Sequence, residues 1–418
     1  MELLLRAATI IDPSSKHHAK KRDVRIKNGA ITEIKASIKD VGNAKEIKLP
    51  DLHISKGWFD SSVSFGEPGY EERETIANGL ETAALSGFSH VALNANVLPV
   101  TDSKSHVKFL RSQAENHAVS LHPMGALTVK SEGTDLAELY DMYSHGAVSF
   151  YDYKKPISDA NVLKLALLYS QKFNGIVQSF PLERSVSRNG IMNEGIVSTM
   201  LGLKGIPSFS EELQIARDLY ILEYTGGHLH IPTISTKESV KLIKEAKKKG
   251  LKVSCSVAVE NLLLTDDMLE EFDTRYKLLP PLRTEGDVKA LRKAVKDGTI
   301  DMITSDHNPI DIELKKTEFD HAAYGSIGLE SCFGALNTIF DLETTVKMLT
   351  NGSDVFLQQS DSVEEGNTAT LSLFTPKEAW TFTKDDIIST SQNASFLHQK
   401  MKGRAYGIYS NKKLKLNN

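Results

Sequence analysis

Residues 57–69 read GWFDSSVSFGEPG, and this stretch decides the fold. Four bulky apolar residues lie between glycine at one end and a Gly/Pro cluster at the other, which is typical of a short buried strand that runs into a tight turn. Successive side chains of a strand point to opposite faces, so Ser62 and Ser64 share one face, and Asp60 shares it too. Two hydroxyls and a carboxyl therefore lie together at the end of a buried strand.

Similar apolar segments recur along the middle of the chain, and helical patterns separate several of them. One such helix is predicted after the capping box of residues 235–238, and another after Thr284. Strands that alternate eight times with helices predict an α/β fold in which a parallel sheet closes into a (β/α)8 barrel. The eight segments are GWFDSSVSF (57–65), HVALNANV (90–97), VSLHPMGAL (119–127), AVSFYDY (147–153), NGIVQSF (174–180), HLHIPTIS (228–235), LKVSCSVAV (251–259) and DMITSDH (301–307).

Composition excludes several classes of protein. The 418 residues include 50 basic and 54 acidic side chains, a net charge of −4, which argues against a nucleic-acid partner or a membrane surface. No apolar run approaches the roughly 20 residues of a membrane span. The two cysteines, Cys255 and Cys332, are too few for a disulfide framework. Together these features predict a cytoplasmic protein.

The first strand resembles that of the dihydroorotases, members of the amidohydrolase superfamily, whose pattern there is Asp-x-His-x-His-x-Arg-Glu-Pro-Gly. Asp60 and the Glu-Pro-Gly of residues 67–69 match this pattern. The resemblance continues through TSDHNPI (304–310) and YGSIGLE (324–330), and it spans essentially the whole chain. It implies a TIM-like barrel over residues 55–359. It also implies a small β-sandwich domain assembled from residues 1–54 and 360–418.

The residues that carry the family's chemistry are mostly replaced. In the dihydroorotases, histidines at the barrel mouth bind zinc, which activates water for hydrolysis by lowering its pKa to about 7. A neutral hydroxyl is a poor zinc ligand. Gly66 stands at the position of the substrate-binding Arg, and Leu279 at that of an Asn that reads the pyrimidine ring. The family's metal-ligand positions hold Ser62, Ser64, Tyr153, Ser179 and Thr233, Tyr153 being at the position of the bridging acid.

A few functional positions are retained. The resemblance implies that Asp306 is a remnant of the metal-binding general base, and that Asn96 and His307 belong to a vestigial substrate pocket. A second interpretation is that Asp306 and His307 form a hydrogen-bonded pair that fixes the end of the last strand. Tyr151 and Tyr153 are expected to fill the vacated space. We expect no zinc and no other cofactor.

Three functions remain open from the sequence. Metal-less dihydroorotase homologues are structural partners of aspartate transcarbamoylase in pyrimidine biosynthesis, so the resemblance implies a non-catalytic protein that binds the transcarbamoylase catalytic chain. A homo-oligomer is also expected. The first alternative is an active dihydroorotase, or another cyclic amidohydrolase that cleaves a ring C–N amide bond with an altered metal site. The second alternative is a small-molecule sensor that uses the vestigial pocket.

Overall fold

A computed structural model describes residues 2–358 and 362–417. Its strands are β1 (Glu2–Ile10), β2 (Lys21–Lys27), β3 (Ala30–Lys35), β4 (Lys45–Ile47), β5 (His53–Lys56), β6 (Trp58–Val63), β7 (Phe88–Leu93), β8 (Ser120–Pro123), β9 (Ile176–Gln178), β10 (Met192–Asn193), β11 (Gly205–Ile206), β12 (His228–Ile231), β13 (Val253–Ala258), β14 (Met302–Thr304), β15 (Leu371–Thr381), β16 (Lys400–Ser410) and β17 (Lys413–Leu416).

The α-helices are α1 (Ile76–Leu85), α2 (Lys104–Gln113), α3 (Leu139–Ser144), α4 (Ala160–Ser170), α5 (Arg184–Ser187), α6 (Ile196–Leu201), α7 (Ser208–Thr225), α8 (Lys237–Lys248), α9 (Glu260–Leu263), α10 (Glu285–Lys296), α11 (Ile312–Lys315), α12 (Leu329–Ile339) and α13 (Leu342–Phe356). Short 3-10 helices cover Val129–Ser131, Gln171–Phe173, Asp266–Leu269, Thr274–Tyr276 and Lys384–Asp386. Among the described residues, no helix is both long and apolar enough to cross a membrane.

The predicted eight-stranded parallel barrel is confirmed. Strands β6, β7 and β8 pair in that order, and β9, β12, β13 and β14 form the other continuous part. The fourth barrel strand is reduced to a single residue, Phe150, which bridges Gly125 on one side and Val177 on the other. A parallel bridge between Val63 and His307 closes the ring.

Asp60 ties the first barrel strand to the last. Its carboxylate is fully buried and accepts hydrogen bonds from the Thr304 hydroxyl, from the Ser305 backbone N–H (2.9 Å) and from the Ser62 backbone N–H (3.0 Å). A buried carboxylate needs such donors because it loses its water on folding. Asp60 therefore closes the barrel instead of contributing to its mouth.

Side chains inside the barrel form an apolar layer closed by the last helix. Phe59 stacks on Phe356 of α13, with ring centroids 5.7 Å apart. A Cβ atom at Gly352 would lie 2.4 Å from the Phe59 ring, so glycine is needed for α13 to approach this closely. A larger cluster of buried residues fills the space between the barrel and its surrounding helices. The interior is therefore packed, and polar chemistry is confined to the strand ends.

Both predicted helix starts are confirmed, with one correction. Helix α10 begins after Thr284, whose side chain accepts a hydrogen bond from the Asp287 N–H. Helix α8 begins at Lys237 with Thr236 as its cap, whereas the capping box placed Ser235 in that role. Ser235 instead donates its hydroxyl to the buried Glu211 carboxylate, which draws it away from the helix.

Strands from both ends of the chain join one eight-stranded sheet, as the resemblance implied for the small β-sandwich domain. The order is β17-β16-β15-β5-β1-β2-β3, and β4 pairs with β1. The domain boundary predicted between residues 54 and 55 falls within β5, which pairs with both β1 and β15. The other predicted boundary, between residues 359 and 360, lies outside the described residues.

Candidate functional site

The carboxyl ends of the barrel strands carry a connected group of polar side chains. Ser62 is the second-last residue of β6, Asn94 follows β7 directly, and Asp306 lies two residues after β14. Lys154 comes just after the short fourth strand. Parallel strands in a barrel bring these positions to one rim, which is where barrel enzymes hold their active sites.

An ion pair between Lys154 and Asp306 lies at the centre of this rim. The Lys154 Nζ atom is 2.6 Å from Asp306 Oδ2, and each side chain is only 10% exposed. Burial raises the pKa of the Asp306 carboxyl above its usual range, while the Lys154 ammonium lowers it. Lys154 also lies over the Tyr153 ring, 5.2 Å from its centroid. The chain thus supplies its own cation to the carboxylate that the resemblance identified as a metal ligand.

A hydroxyl and amide network extends from this ion pair. Ser62 Oγ donates to Asp306 Oδ1 at 3.2 Å, and Asn94 Nδ2 donates to both Ser62 Oγ (3.1 Å) and Ser64 Oγ (3.2 Å). Ser64 Oγ in turn donates to Asn96 Oδ1 at 3.1 Å. Neutral groups that satisfy one another in this way are stable in a buried site without a metal.

Two further acidic groups at the rim have pKa values raised above their usual range. Burial, and then the nearby negative charge of Asp306, raise the pKa of Glu260 to about 8. The same two causes raise the pKa of the Tyr153 phenol well above its usual range. Among the described residues, neither Glu260 Oε2 nor the Tyr153 hydroxyl has a hydrogen-bond partner, and the same holds for Thr233 Oγ1. These three atoms are unused polar groups.

The loop after β6 is closed where the resemblance placed a substrate arginine. A Cβ atom at Gly66 would lie 1.7 Å from the Tyr70 carbonyl oxygen. The Gly66 N–H donates to the Glu74 carbonyl at 2.8 Å, and the Tyr70 N–H donates to the Gly66 carbonyl at 2.9 Å. No side chain fits at position 66 unless this turn moves.

Comparison with known proteins places the chain in a family. Residues 53–239 match the family model described as dihydro-orotase-like. A protein named dihydroorotase from Pelotomaculum thermopropionicum is 37% identical over 410 residues, covering 96% of each chain. Another dihydroorotase, from Geobacter metallireducens, is 35% identical over 412 residues, covering 97% of each. The chain belongs to the dihydroorotase family.

Solved structures agree on the fold of this dihydroorotase-family chain. The L-hydantoinase (dihydropyrimidinase) from Arthrobacter aurescens superposes with a TM-score of 0.85 at 18% identity, covering 100% of this chain and 97% of the other. A D-hydantoinase from a Thermus species gives 0.83 at 20% identity, covering 99% and 95%. At these identities the likeness concerns the fold alone.

The residues at the rim do not fit the zinc that the family resemblance implies. The side chains around Asp306 are hydroxyls and amides, and its Oδ2 atom is held by an ammonium group that would repel a metal ion. Over residues 2–358 and 362–417, no three His, Cys, Asp or Glu side chains are grouped closely enough to hold a metal. Zinc prefers imidazole, thiolate and carboxylate, so this donor set is unsuitable.

Two of the expected ligand positions lie apart from the network. Ser179 Oγ donates to Asp218 of α7 at 2.6 Å, so this side chain is directed towards a surrounding helix. Thr233 has a left-handed backbone (φ 48°), and its N–H donates to Ser256 Oγ at 3.1 Å. Ser62 and Ser64 are joined to Asp306 through hydrogen bonds, whereas Ser179 and Thr233 are not.

The expected Asp306–His307 pair is wrong. Asp306 bonds Ser62 and Lys154, while His307 Nε2 lies 2.8 Å from Glu74 Oε2. His307 Nδ1 accepts the Gly328 N–H at 3.2 Å, which makes Nε2 the protonated nitrogen. Both ring nitrogens of this fully buried side chain are therefore occupied by the protein. We assign His307 a structural role in place of the expected substrate contact.

Sequence reasoning missed Lys154, Asn94 and Glu260. A signal for Lys154 was present, because replacing a metal by hydroxyls leaves Asp306 without a positive charge. A buried carboxylate needs a partner, and Lys154 adjoins Tyr153 at the position of the bridging acid. Glu260 carried no such signal, since it lies in a helix turn after β13 and reaches the rim only in the folded barrel.

Proposed function

We propose that this dihydroorotase-family chain no longer hydrolyses a ring amide and serves in pyrimidine biosynthesis as a structural partner of the aspartate transcarbamoylase catalytic chain. The observation that carries the loss of hydrolysis is the Lys154–Asp306 ion pair. An Asp306 carboxylate bonded to an ammonium is neither a metal ligand nor a free general base. Asp306 therefore cannot activate a water molecule at this rim.

The substrate side of the site supports the same proposal. Hydrolysis of a dihydropyrimidine ring needs positive charge to hold the substrate carboxylate, and the turn at Gly66 excludes the arginine that the resemblance implied. Leu279 is partly buried against the apolar cluster that contains Phe59 and Phe180, and its side chain has no donor or acceptor that could bond a pyrimidine ring. Hydrolysis of a dihydropyrimidine ring would therefore require changes both in the substrate-binding residues and in the catalytic residues.

The rival function is an active dihydroorotase or related cyclic amidohydrolase with an altered metal site. It is favoured by the names of the relatives, which are dihydroorotases at 33–37% identity over nearly the whole chain. The decisive assay measures ring opening and ring closure at neutral pH, with the Pelotomaculum thermopropionicum protein as positive control. We expect no turnover above background. Turnover that Asp306→Asn abolishes would establish the rival function.

A small-molecule sensor is favoured by the unused polar atoms of Tyr153, Thr233 and Glu260. Buried polar groups without partners are costly, and a ligand that bonded them would remove this cost. Thermal unfolding with dihydroorotate, carbamoyl aspartate or orotate tests this function, because a ligand of the native state raises the melting temperature. On our proposal none of the three shifts it.

The partner is tested by co-expression with the aspartate transcarbamoylase catalytic chain of the same organism, followed by size-exclusion chromatography. We expect the two chains to elute together. Ser62→Ala and Asp306→Ala should leave the complex intact, because the rim supplies only a few side chains and an interface of standard size draws on about 20–30 residues per side. Two separate peaks at micromolar concentration would refute the partnership.

A further inference from the structure

Three neighbouring helices carry an exposed apolar surface. Its members are Tyr140 and Tyr143 of α3, Leu165, Leu168 and Tyr169 of α4, and Phe209, Leu213, Tyr220 and Tyr224 of α7. The side chains of α3 and α4 are joined through Phe173, whose ring lies 4.9 Å from Tyr143 and 5.8 Å from Tyr169. Helices α4 and α7 pack side by side. We call these nine side chains the α7 surface.

The α7 surface is as large as one side of a stable interface. Tyr220 and Tyr224 are 77% and 79% exposed, far more than an aromatic side chain on an ordinary surface. An aromatic side chain can bury about 150–250 Å², so the exposed parts of the six aromatic members alone amount to roughly 700 Å². Monomeric proteins rarely expose an apolar patch above a few hundred Å². A standard interface buries about 800 Å² per partner.

Helix α7 repeats its apolar residues symmetrically about its centre. Phe209 and Tyr224 are equally far from the midpoint between residues 216 and 217, and so are Leu213 and Tyr220. The small residue Ala216, also exposed, lies directly beside that midpoint. All five positions fall on one stripe, because their spacings of 4, 3, 4 and 4 residues follow the helical repeat.

We propose that α7 packs antiparallel against α7 of a second copy of this chain, across a two-fold axis that passes between Ala216 and Arg217. A two-fold axis makes each residue meet its mirror position, so Phe209 of one copy lies opposite Tyr224 of the other, and Leu213 opposite Tyr220. Each contact then joins two large apolar side chains. A small central residue lets the two helices approach closely.

The charges around the stripe permit this arrangement. The exposed acidic residue Glu223 is paired within its own chain with Lys249, at 3.1 Å. Arg217 is folded back onto Asp218, at 2.8 Å, and donates to the Ile157 carbonyl. Arg217 and Glu223 therefore bring no unpaired charge to the stripe, in keeping with the depletion of charge in the cores of interfaces.

The oligomeric state tests the surface. Light scattering at micromolar concentration should give twice the chain mass of 46.1 kDa for the wild type. Leu213→Glu should be monomeric, because it places two carboxylates in the centre of the interface. Ile312→Glu, an exposed apolar position on α11, is the matched control and should stay dimeric. Circular dichroism and the melting temperature show whether each variant is folded.

Cysteine cross-linking tests the antiparallel pairing. The native Cys255 and Cys332 are both buried, so they do not interfere. Ala216→Cys should form a disulfide-linked dimer by itself, and so should the double variant Phe209→Cys/Tyr224→Cys. Tyr224→Cys alone should not, because the axis places its two copies at opposite ends of the helix pair. Cross-linked species are read on a non-reducing gel.

Several results would overturn the proposal. A wild type that is monomeric at micromolar concentration would do so, even if the α7 surface then met the transcarbamoylase chain. A folded, dimeric Leu213→Glu would place the interface elsewhere. Cross-linking of Tyr224→Cys alone, as readily as of Ala216→Cys, would indicate parallel helices. None of these results bears on whether the barrel is catalytic, so this proposal and the proposed function fail separately.

Discussion

Replacing Lys154 by methionine would leave the Asp306 carboxylate buried without its cation. The two charged atoms are 2.6 Å apart and both side chains are 10% exposed, so water cannot take the place of the lysine. At an effective dielectric constant near 20 the lost attraction is about 6 kcal/mol. The hydrogen bond from Ser62 remains, and the carboxyl can take up a proton. We therefore expect a net loss of about 3–4 kcal/mol in the free energy of unfolding.

The double variant Lys154→Met/Asp306→Asn should recover most of this loss. An amide in place of the carboxylate can still accept the Ser62 hydroxyl and leaves no buried charge. Urea denaturation of the wild type, both single variants and the double variant gives the coupling energy, which we expect to exceed about 2 kcal/mol. The exposed neighbour Lys155 is the matched control, and Lys155→Met should change stability by less than about 1 kcal/mol.

The pH dependence separates this cause from simple loss of packing. Without Lys154, the folded-state pKa of Asp306 rises further above its unfolded value. The free energy of unfolding of the variant then falls as pH rises from the unfolded-state pKa of Asp306 to its folded-state pKa, and it is regained as pH falls. The deficit of Lys154→Met should thus shrink between about pH 8 and about pH 5. A deficit that is below about 1 kcal/mol, or equal at both pH values, would refute our account of the ion pair.

Three further predictions concern other groups. Folding raises the Glu260 pKa to about 8, so the free energy of unfolding of the wild type should fall by on the order of 4 kcal/mol between about pH 4.5 and pH 8. Glu260→Gln should abolish this fall. Urea denaturation across the same pH range measures both proteins. EDTA should leave the melting temperature unchanged. A structural zinc would contribute on the order of 10 kcal/mol to the free energy of unfolding, so its removal would lower the melting temperature by many degrees. Such a fall would contradict a metal-free barrel. The fully buried Arg283 donates to Asn193, Ser235 and the Ile206 carbonyl, so Arg283→Met should cost about 3–5 kcal/mol in the same assay; a cost below 1 kcal/mol would show that these bonds are replaceable.

The barrel could be predicted from the sequence because its evidence is local and repeated. Each strand is an apolar run between turn residues, and each helix begins at a recognisable cap, as at Thr284. The fourth strand was overestimated: residues 147–153 read as a strand, yet only Phe150 pairs with its neighbours. Apolar residues predict burial more reliably than they predict a hydrogen-bonded ladder.

The sequence also allowed us to predict which residues of the family pattern are replaced at the rim, but it did not allow us to predict which side chains contact one another there. Which carboxylate meets which base depends on side chains that lie 152 residues apart in the case of Lys154 and Asp306. His307 follows Asp306 directly and still bonds Glu74 instead, because neighbouring side chains at a strand end point in different directions. Adjacency in sequence was thus a poor guide to partnership at the rim.

On our proposal that hydrolysis has been lost, the turn at Gly66 makes this loss hard to reverse. Restoring histidines at Ser62 and Ser64 would still leave an ammonium bonded to Asp306. Restoring the arginine at Gly66 would drive its side chain into the Tyr70 carbonyl oxygen, 1.7 Å away. Each reversion alone would either fail to restore a metal site or disturb the turn at Gly66. On the proposed function, the closed turn would prevent the site from being restored one residue at a time, so selection would act on the outer surfaces of the chain independently of ring-amide hydrolysis.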